Sequence, residues 1–184
     1  LYWDGATHRP FASEGGHMSF APVGDVQVAL LRFLADRFGG HVSWERVLSG
    51  PGLRNLHDFL AERAGASGSD RHPDGLDRAH PERITRAATE GRCSVCADAV
   101  ALFVALYGSA AGNLALTTMA TGGVYLGGGI APDLLDELRV GFVAAFTAKG
   151  RMGSLLEQIP VRVIVQGDTA LRGAARYAVL LEES

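Results

Sequence analysis

Val124-Tyr125-Leu126-Gly127-Gly128-Gly129-Ile130-Ala131-Pro132 reads VYLGGGIAP. Strand-favouring residues run into three glycines and then into a proline, which the first turn of a helix tolerates. The pattern predicts a short strand, a glycine turn and a helix starting at Pro132. Further on, Val161-Arg162-Val163-Ile164-Val165 predicts a second buried strand, and Ala170 to Leu181 a closing helix. Strand, helix, strand, helix in that order is the mark of an α/β layer architecture. The same stretch bears on chemistry. Glycine lacks Cβ, so its backbone can approach a ligand closely, and a strand, turn and helix N-terminus offer unpaired N–H groups to a nucleotide. A tight turn without a ligand fits the same residues. No GK[ST] follows and the spacing is not GxGxxG, so a nucleotide here would bring its adenine or ribose to the backbone rather than clamp its phosphates.

Upstream, residues 2–12 read as strand material around an Asp4-Gly5 turn signal. Val26, Ala29, Leu30, Phe33 and Leu34 recur at helical spacing in a helix over 25–38, which Gly39-Gly40 stops. Ser43 is placed to cap a short helix, and Gly50-Pro51-Gly52 predicts a turn. Leu53, Leu56, Phe59 and Leu60 mark the next amphipathic helix. Residues 65–80 are dominated by Gly, Ser, Asp, His and Pro and predict a flexible loop. Pro81-Glu82 opens another helix. The longest helix is expected over 94–118, apolar nearly all round and therefore buried.

The chain has 184 residues, 47% hydrophobic, enough for one ordinary domain with a real core. Charged residues make up 20% and the formal net charge is −3, which argues against a nucleic-acid surface. No apolar run reaches the ~18 residues of a membrane span, so no membrane partner is expected. The start, LYWDGATHRP, shows no secretory pattern. It also lacks an initiator Met and resembles the middle of a hairpin, which suggests a piece of a longer protein. The two cysteines, Cys93 and Cys96, form one CxxC at a predicted helix start. A redox pair fits that position. Without a second CxxC or a thioredoxin-like pattern, two packing cysteines and a reducing cytoplasm are the expectation.

Ser13-Glu14-Gly15-Gly16-His17-Met18-Ser19-Phe20-Ala21-Pro22 sets a carboxylate and an imidazole three residues apart on two glycines. A carboxylate accepts two hydroxyl hydrogen bonds, and a neutral imidazole donates one and accepts one. That chemistry suits a polyol such as a sugar. Two solvated polar residues on a surface turn fit equally well. A metal site is the weaker reading, because no partner ligands follow at metal spacing. Glu45, in WERVLSGPGL, is a second acid beside an aromatic.

Four blocks in order, SEGGHMSFAP, WERVLSGPGLRNL, GNLALTTMATGGVYLGGGIAP and FVAAFTAKGRMGSLLEQIPVRVIV, resemble the C-terminal two-thirds of bacterial glucokinases of the hexokinase/actin-like ATPase superfamily. The resemblance covers nearly the whole chain. It implies a layered α/β/α domain of the ribonuclease H-like type, with residues 1–184 as the C-terminal large domain and the N-terminal domain absent from this chain. It implies that Glu14 and His17 hydrogen-bond sugar hydroxyls, that Glu45 does so too, and that Gly127, Gly128 and Gly129 lie on the ATP side of a cleft. The implied reaction is phosphoryl transfer from MgATP to the 6-hydroxyl of glucose, in a cytoplasmic homodimer. The family's DxGGT-type phosphate loop, its GTGLG block and its Asn-Asp pair, whose aspartate is the general base, do not occur in this chain. No catalytic residue is therefore assigned here, and the segment alone is expected to be inactive. The alternative is a sugar-binding or regulatory module without catalysis.

Overall fold

A computed structural model of the chain describes residues 1–65 and 80–182. The loop expected at 65–80 lies, apart from its two end residues, outside that range. The architecture is α/β, with helices and two small sheets. The first sheet is an antiparallel hairpin of β1 (Tyr2–Trp3) and β2 (His8–Arg9). Its turn is organised by Asp4, whose carboxylate accepts from the Ala6 and Thr7 N–H groups at 2.8 and 2.7 Å and from Arg9 at 2.6 Å.

Helix α1 (Gly24–Phe38) ends where the glycine pair predicts. Gly39 is left-handed, with φ of 76°, a conformation a Cβ would oppose, and its N–H returns to the Ala35 carbonyl. Ser43 does stand at the head of a 3-10 turn, Trp44–Arg46, but its hydroxyl makes no capping bond. A serine side chain does cap the next helix: Ser49 Oγ accepts from the Gly52 N–H at 3.0 Å and its hydroxyl donates to the Glu45 carbonyl at 2.7 Å. The turn expected at Gly50-Pro51-Gly52 is accordingly the first turn of helix α2 (Gly50–Arg63). Proline is tolerated there because its missing N–H would have had no helical partner. At Gly52 a side chain is excluded, since a Cβ would come within 2.5 Å of the Val47 carbonyl carbon.

Helix α3 (Pro81–Thr89) leads to α4 (Ser94–Thr118), the axis of the core. By length and composition alone α4 could cross a membrane, which its run lengths do not reveal, yet 61% of its most apolar stretch is buried inside the fold. It packs against α2, α3 and, most extensively, α6 (Leu135–Thr147). Gly108 and Gly112 make that last contact possible. A Cβ at Gly108 would collide with the Phe142 carbonyl oxygen, and one at Gly112 would lie 2.5 Å from that of Phe146. Phe142 and Phe146, stacked at 5.9 Å, fill the space beside them.

After α4, strand β3 (Val124–Leu126) pairs in parallel with β4 (Val161–Val163), Val124 opposite Val161. Two expectations need correction here. The helix placed at Pro132 begins at Ile130 and is a single turn, α5 (Ile130–Asp133), separated from α6 by Leu134. The second strand ends at Val163 and is half-buried, with Val165 67% exposed. Its side chains alternate: Val161 and Val163 pack against the core, while Arg162 between them is exposed on a face that nothing among the described residues buries. The single turn α7 (Gly153–Leu156) precedes β4, and α8 (Thr169–Glu182) closes the chain. Cys93 and Cys96, expected as packing cysteines, are joined in a disulfide. Three residues apart across a helix N-terminus, their side chains fall on one side of the first turn, within bonding reach.

Candidate functional site

A hollow of about 350 Å³ opens between the N-terminal loops, the second half of α4 and strand β3. Its walls are mostly apolar, with a few polar groups at fixed points, as small-molecule sites are. Glu45, Asn113 and Thr118 supply polar side chains, Trp44, Tyr107 and Tyr125 the aromatic ones, and Gly16 a stretch of bare backbone.

Two chain crossings hold these pieces together. Ser19 bridges Ser43 in antiparallel fashion, the Trp44 N–H donates to the Met18 carbonyl at 3.0 Å, and the Phe20 N–H donates to Val42 at 2.8 Å. Phe20 and Trp44 then meet edge to face at 5.1 Å. The 3-10 turn Gly15–His17 is thereby pressed against the turn that carries Glu45. At the far wall, α4 ends on Met119 in the left-handed region, φ of 47°, with the Ala120 N–H returning to Ala115 at 2.9 Å. That reversal delivers the chain into β3.

The two glycines between Glu14 and His17 now have separate explanations. A Cβ on Gly16 would lie 3.2 Å from Glu45 Oε2, so only glycine lets that carboxylate close on the turn without displacement. Gly15 has ordinary contacts and would accept a methyl group. Glu14 precedes the turn and His17 ends it, their Oε2 and Nε2 atoms 3.8 Å apart, and both side chains are largely exposed, 89% and 67%. They stand beside the hollow, and Glu45 forms part of its wall.

The triple glycine lies one step outside the same wall. β3 lines the hollow as far as Leu126, and Gly127 to Gly129 follow directly. Gly128 has φ of 101°, and a Cβ on Gly128 or Gly129 would meet nothing within 4 Å. The backbone there is bare and faces open space. The helix behind it is the four-residue α5, too short to offer a strong dipole.

Asn113 was not singled out by its sequence. Half-buried on a helix otherwise apolar at this level, it brings a carboxamide that both donates and accepts to the hollow. The signal was present: a lone amide in GNLALTT, where an all-apolar face needs none. Thr118 contributes less, because its hydroxyl is used in donating to the Leu114 carbonyl at 2.9 Å. Among the described residues, no group of three His, Cys, Asp or Glu side chains with metal-ligand geometry borders the hollow; one such group, His57, Cys93 and Cys96, lies elsewhere.

The Glucokinase family profile matches residues 1–180. A glucokinase of Caulobacter vibrioides is 45% identical over 171 residues, covering 90% of this chain and 48% of the relative. One from Chromobacterium violaceum is 44% identical over 170 residues, covering 92% and 46%. Among solved structures, a glucokinase from an Antarctic psychrotroph superposes with a TM-score of 0.78 at 38% identity, over 89% of this chain and 48% of its own. A glucokinase of Balamuthia mandrillaris, solved in complex with glucose, shares the fold at a TM-score of 0.65 and 20% identity, over 82% and 42%. The chain thus spans about half the length of the relatives it matches.

Proposed function

The chain belongs to the glucokinase family, and from that premise we propose that the whole protein transfers a phosphoryl group from ATP to the 6-hydroxyl of glucose. Residues 1–184 would be its C-terminal large domain, of the layered α/β/α actin-like ATPase type. The observation that carries this reading is the convergence of Glu45, bare Gly16 and Asn113 on one hollow from which β3 runs straight to the triple glycine.

Phosphoryl transfer asks a protein mainly for position and charge stabilisation. In the proposed arrangement Glu45 accepts hydrogen bonds from two sugar hydroxyls, and Asn113 donates to and accepts from a third. Glu14 and His17, on the turn beside them, close over the sugar from the exposed side. With the sugar bound these groups lose their water, so a missing hydroxyl leaves one of them unpaired, which is how such a site rejects analogues. Gly127, Gly128 and Gly129 face the nucleotide, their open backbone fitting the adenosine end of ATP. No carboxylate occurs between Gly122 and Ala131, so nothing in this bend would ligate Mg²⁺ directly; the ion fits only as the companion of the nucleotide's phosphates. The general base and the phosphate loop lie outside this chain. A cytoplasmic homodimer completes the proposal.

The test uses full-length protein, assayed for glucose 6-phosphate formation and titrated with glucose. Glu45→Gln is expected to weaken sugar binding by about 1.5–3 kcal/mol, the worth of a hydrogen bond to a charged group, and Glu14→Ala, at the more open position, by less. Gly128→Val is expected to raise the KM for ATP and leave glucose affinity alone. Undiminished glucose affinity in Glu45→Gln removes the assigned sugar site. Glucose binding without turnover in the full-length protein favours the regulatory module.

A further inference from the structure

His57, Cys93 and Cys96 meet where α2 packs against the N-terminus of α4, and none of them lines the hollow. One ring nitrogen and the two sulfurs lie within 4.8 Å of one another. His57 and Cys96 are fully buried, and Cys93 is part-exposed. The sulfurs are paired as a disulfide in this structure. Two equivalents of a thiol reductant, themselves joined into a disulfide, or one phosphine with water, oxidised to the phosphine oxide, supply the two electrons and two protons that break that bond and leave two thiols on one side of a helix start.

Several features favour sulfur in its charged form there. The Cys96 N–H points at Cys93 Sγ from 3.1 Å. The 25-residue helix α4 begins at Ser94, so its positive end faces both sulfurs. His57 Nδ1 lies 3.9 Å from the Asp58 carboxylate, and a carboxylate beside the ring is a common companion of a ligating imidazole. Two thiolates at C-x₂-C spacing with one imidazole make a soft, borderline donor set, which selects zinc-like ions over magnesium or calcium. The part-exposed side at Cys93 leaves a route in from solvent.

We propose that the reduced Cys93–Cys96 pair and His57 form a three-ligand site for a thiophilic divalent cation of the Zn²⁺ class, which ties α2 to α4. Binding releases the two thiol protons. The disulfide and the bound cation exclude each other, because a disulfide sulfur is no thiolate donor. The site is independent of the sugar hollow, and its test does not depend on kinase activity.

Full-length protein is reduced with a phosphine, stripped with a chelator and titrated anaerobically with Co²⁺ and then Zn²⁺. The expected result is one equivalent of Co²⁺ with a sulfur-to-cobalt charge-transfer band, displaced by Zn²⁺. The oxidised protein and Cys96→Ser are expected to show no such band. His57→Gln should lower cobalt affinity at least about tenfold. Zn²⁺ should raise the Tm of the reduced wild type and not that of Cys96→Ser. Absence of the charge-transfer band in the reduced wild type overturns the proposal without reliance on any variant. A band of unchanged affinity in His57→Gln overturns the three-ligand site.

Discussion

Helices α4 and α8 carry apolar residues at helical spacing, and the fold treats them in opposite ways. In α4 the small residues Gly108, Ser109, Ala110, Ala111 and Gly112 sit together and are buried, and α6 lies directly against them. In α8 every residue from Thr169 to Leu180 is exposed, including Leu171 at 74% and Val179 at 54%. Amphipathic periodicity shows that a helix has a face to bury. Whether the face is buried depends on a partner. For α4 the partner follows within thirty residues; in α8 the residues from Thr169 to Leu180 stay exposed. The chain spans about half the length of its relatives.

The sharpest way to break this contrast is to deny α4 its close approach. Gly108→Leu sets a side chain against the Phe142 backbone and 3.1 Å from Ala145 Cβ. Backbone cannot swing aside as a flexible side chain can, so α4 and α6 must separate and Phe142 and Phe146 lose their packing. The expected loss is about 3 kcal/mol or more, at the upper end of overpacking effects, read as the shift of a denaturant midpoint. Wild-type stability in this variant would show that the two helices do not touch where Gly108 lies.

A smaller effect is expected at the rim of the packed half. Asp58 on α2 accepts from Arg37 of α1 at 2.8 Å. Burial pushes its carboxyl up, but the neighbouring His57 ring and the Arg37 hydrogen bond outweigh that, and the group ends below its ordinary value of 3.8. A carboxyl held low in the fold binds fewer protons there than in the unfolded chain. Its contribution is therefore complete above about pH 3.8 and is lost as the pH falls through the folded value. Asp58→Asn should cost about 1.5 kcal/mol at neutral pH and flatten the acid limb of the stability profile. An unchanged acid limb would remove Asp58 from that role.

How much of this was legible in the sequence follows the same division. The span of α4 and the end of α1 at Gly39 were readable, because apolar periodicity and a glycine stop act locally. The side-chain cap of α2 by Ser49 was not: it depends on the close approach of Gly52 to Val47, which brings the Gly52 N–H to Ser49. The reach of α5 was misread because proline marks a first turn without saying how many turns follow. Around the hollow, Glu45 could be named as an acid beside an aromatic. Its approach to Gly16 could not, since it depends on the crossing of Ser19 with Ser43, and Asn113 was hidden inside an apolar stripe. The disulfide was judged on the absence of other cysteines, whereas three-residue spacing at a helix start was the relevant geometry.

The smallest expected effect tests the exposed side of the comparison. Leu171 touches water over most of its surface, so Leu171→Ser removes little burial, and the change in the stability of residues 1–184 should stay within about 0.5 kcal/mol. The same substitution in the full-length protein separates two accounts of α8. If its apolar face is covered there, the loss should approach the roughly 2 kcal/mol that burial of a leucine side chain supplies; if the face is bare in both, the two measurements agree. A loss of well over 1 kcal/mol in residues 1–184 alone would mean that α8 is already packed, and the opposition between it and α4 would fail at its weaker end.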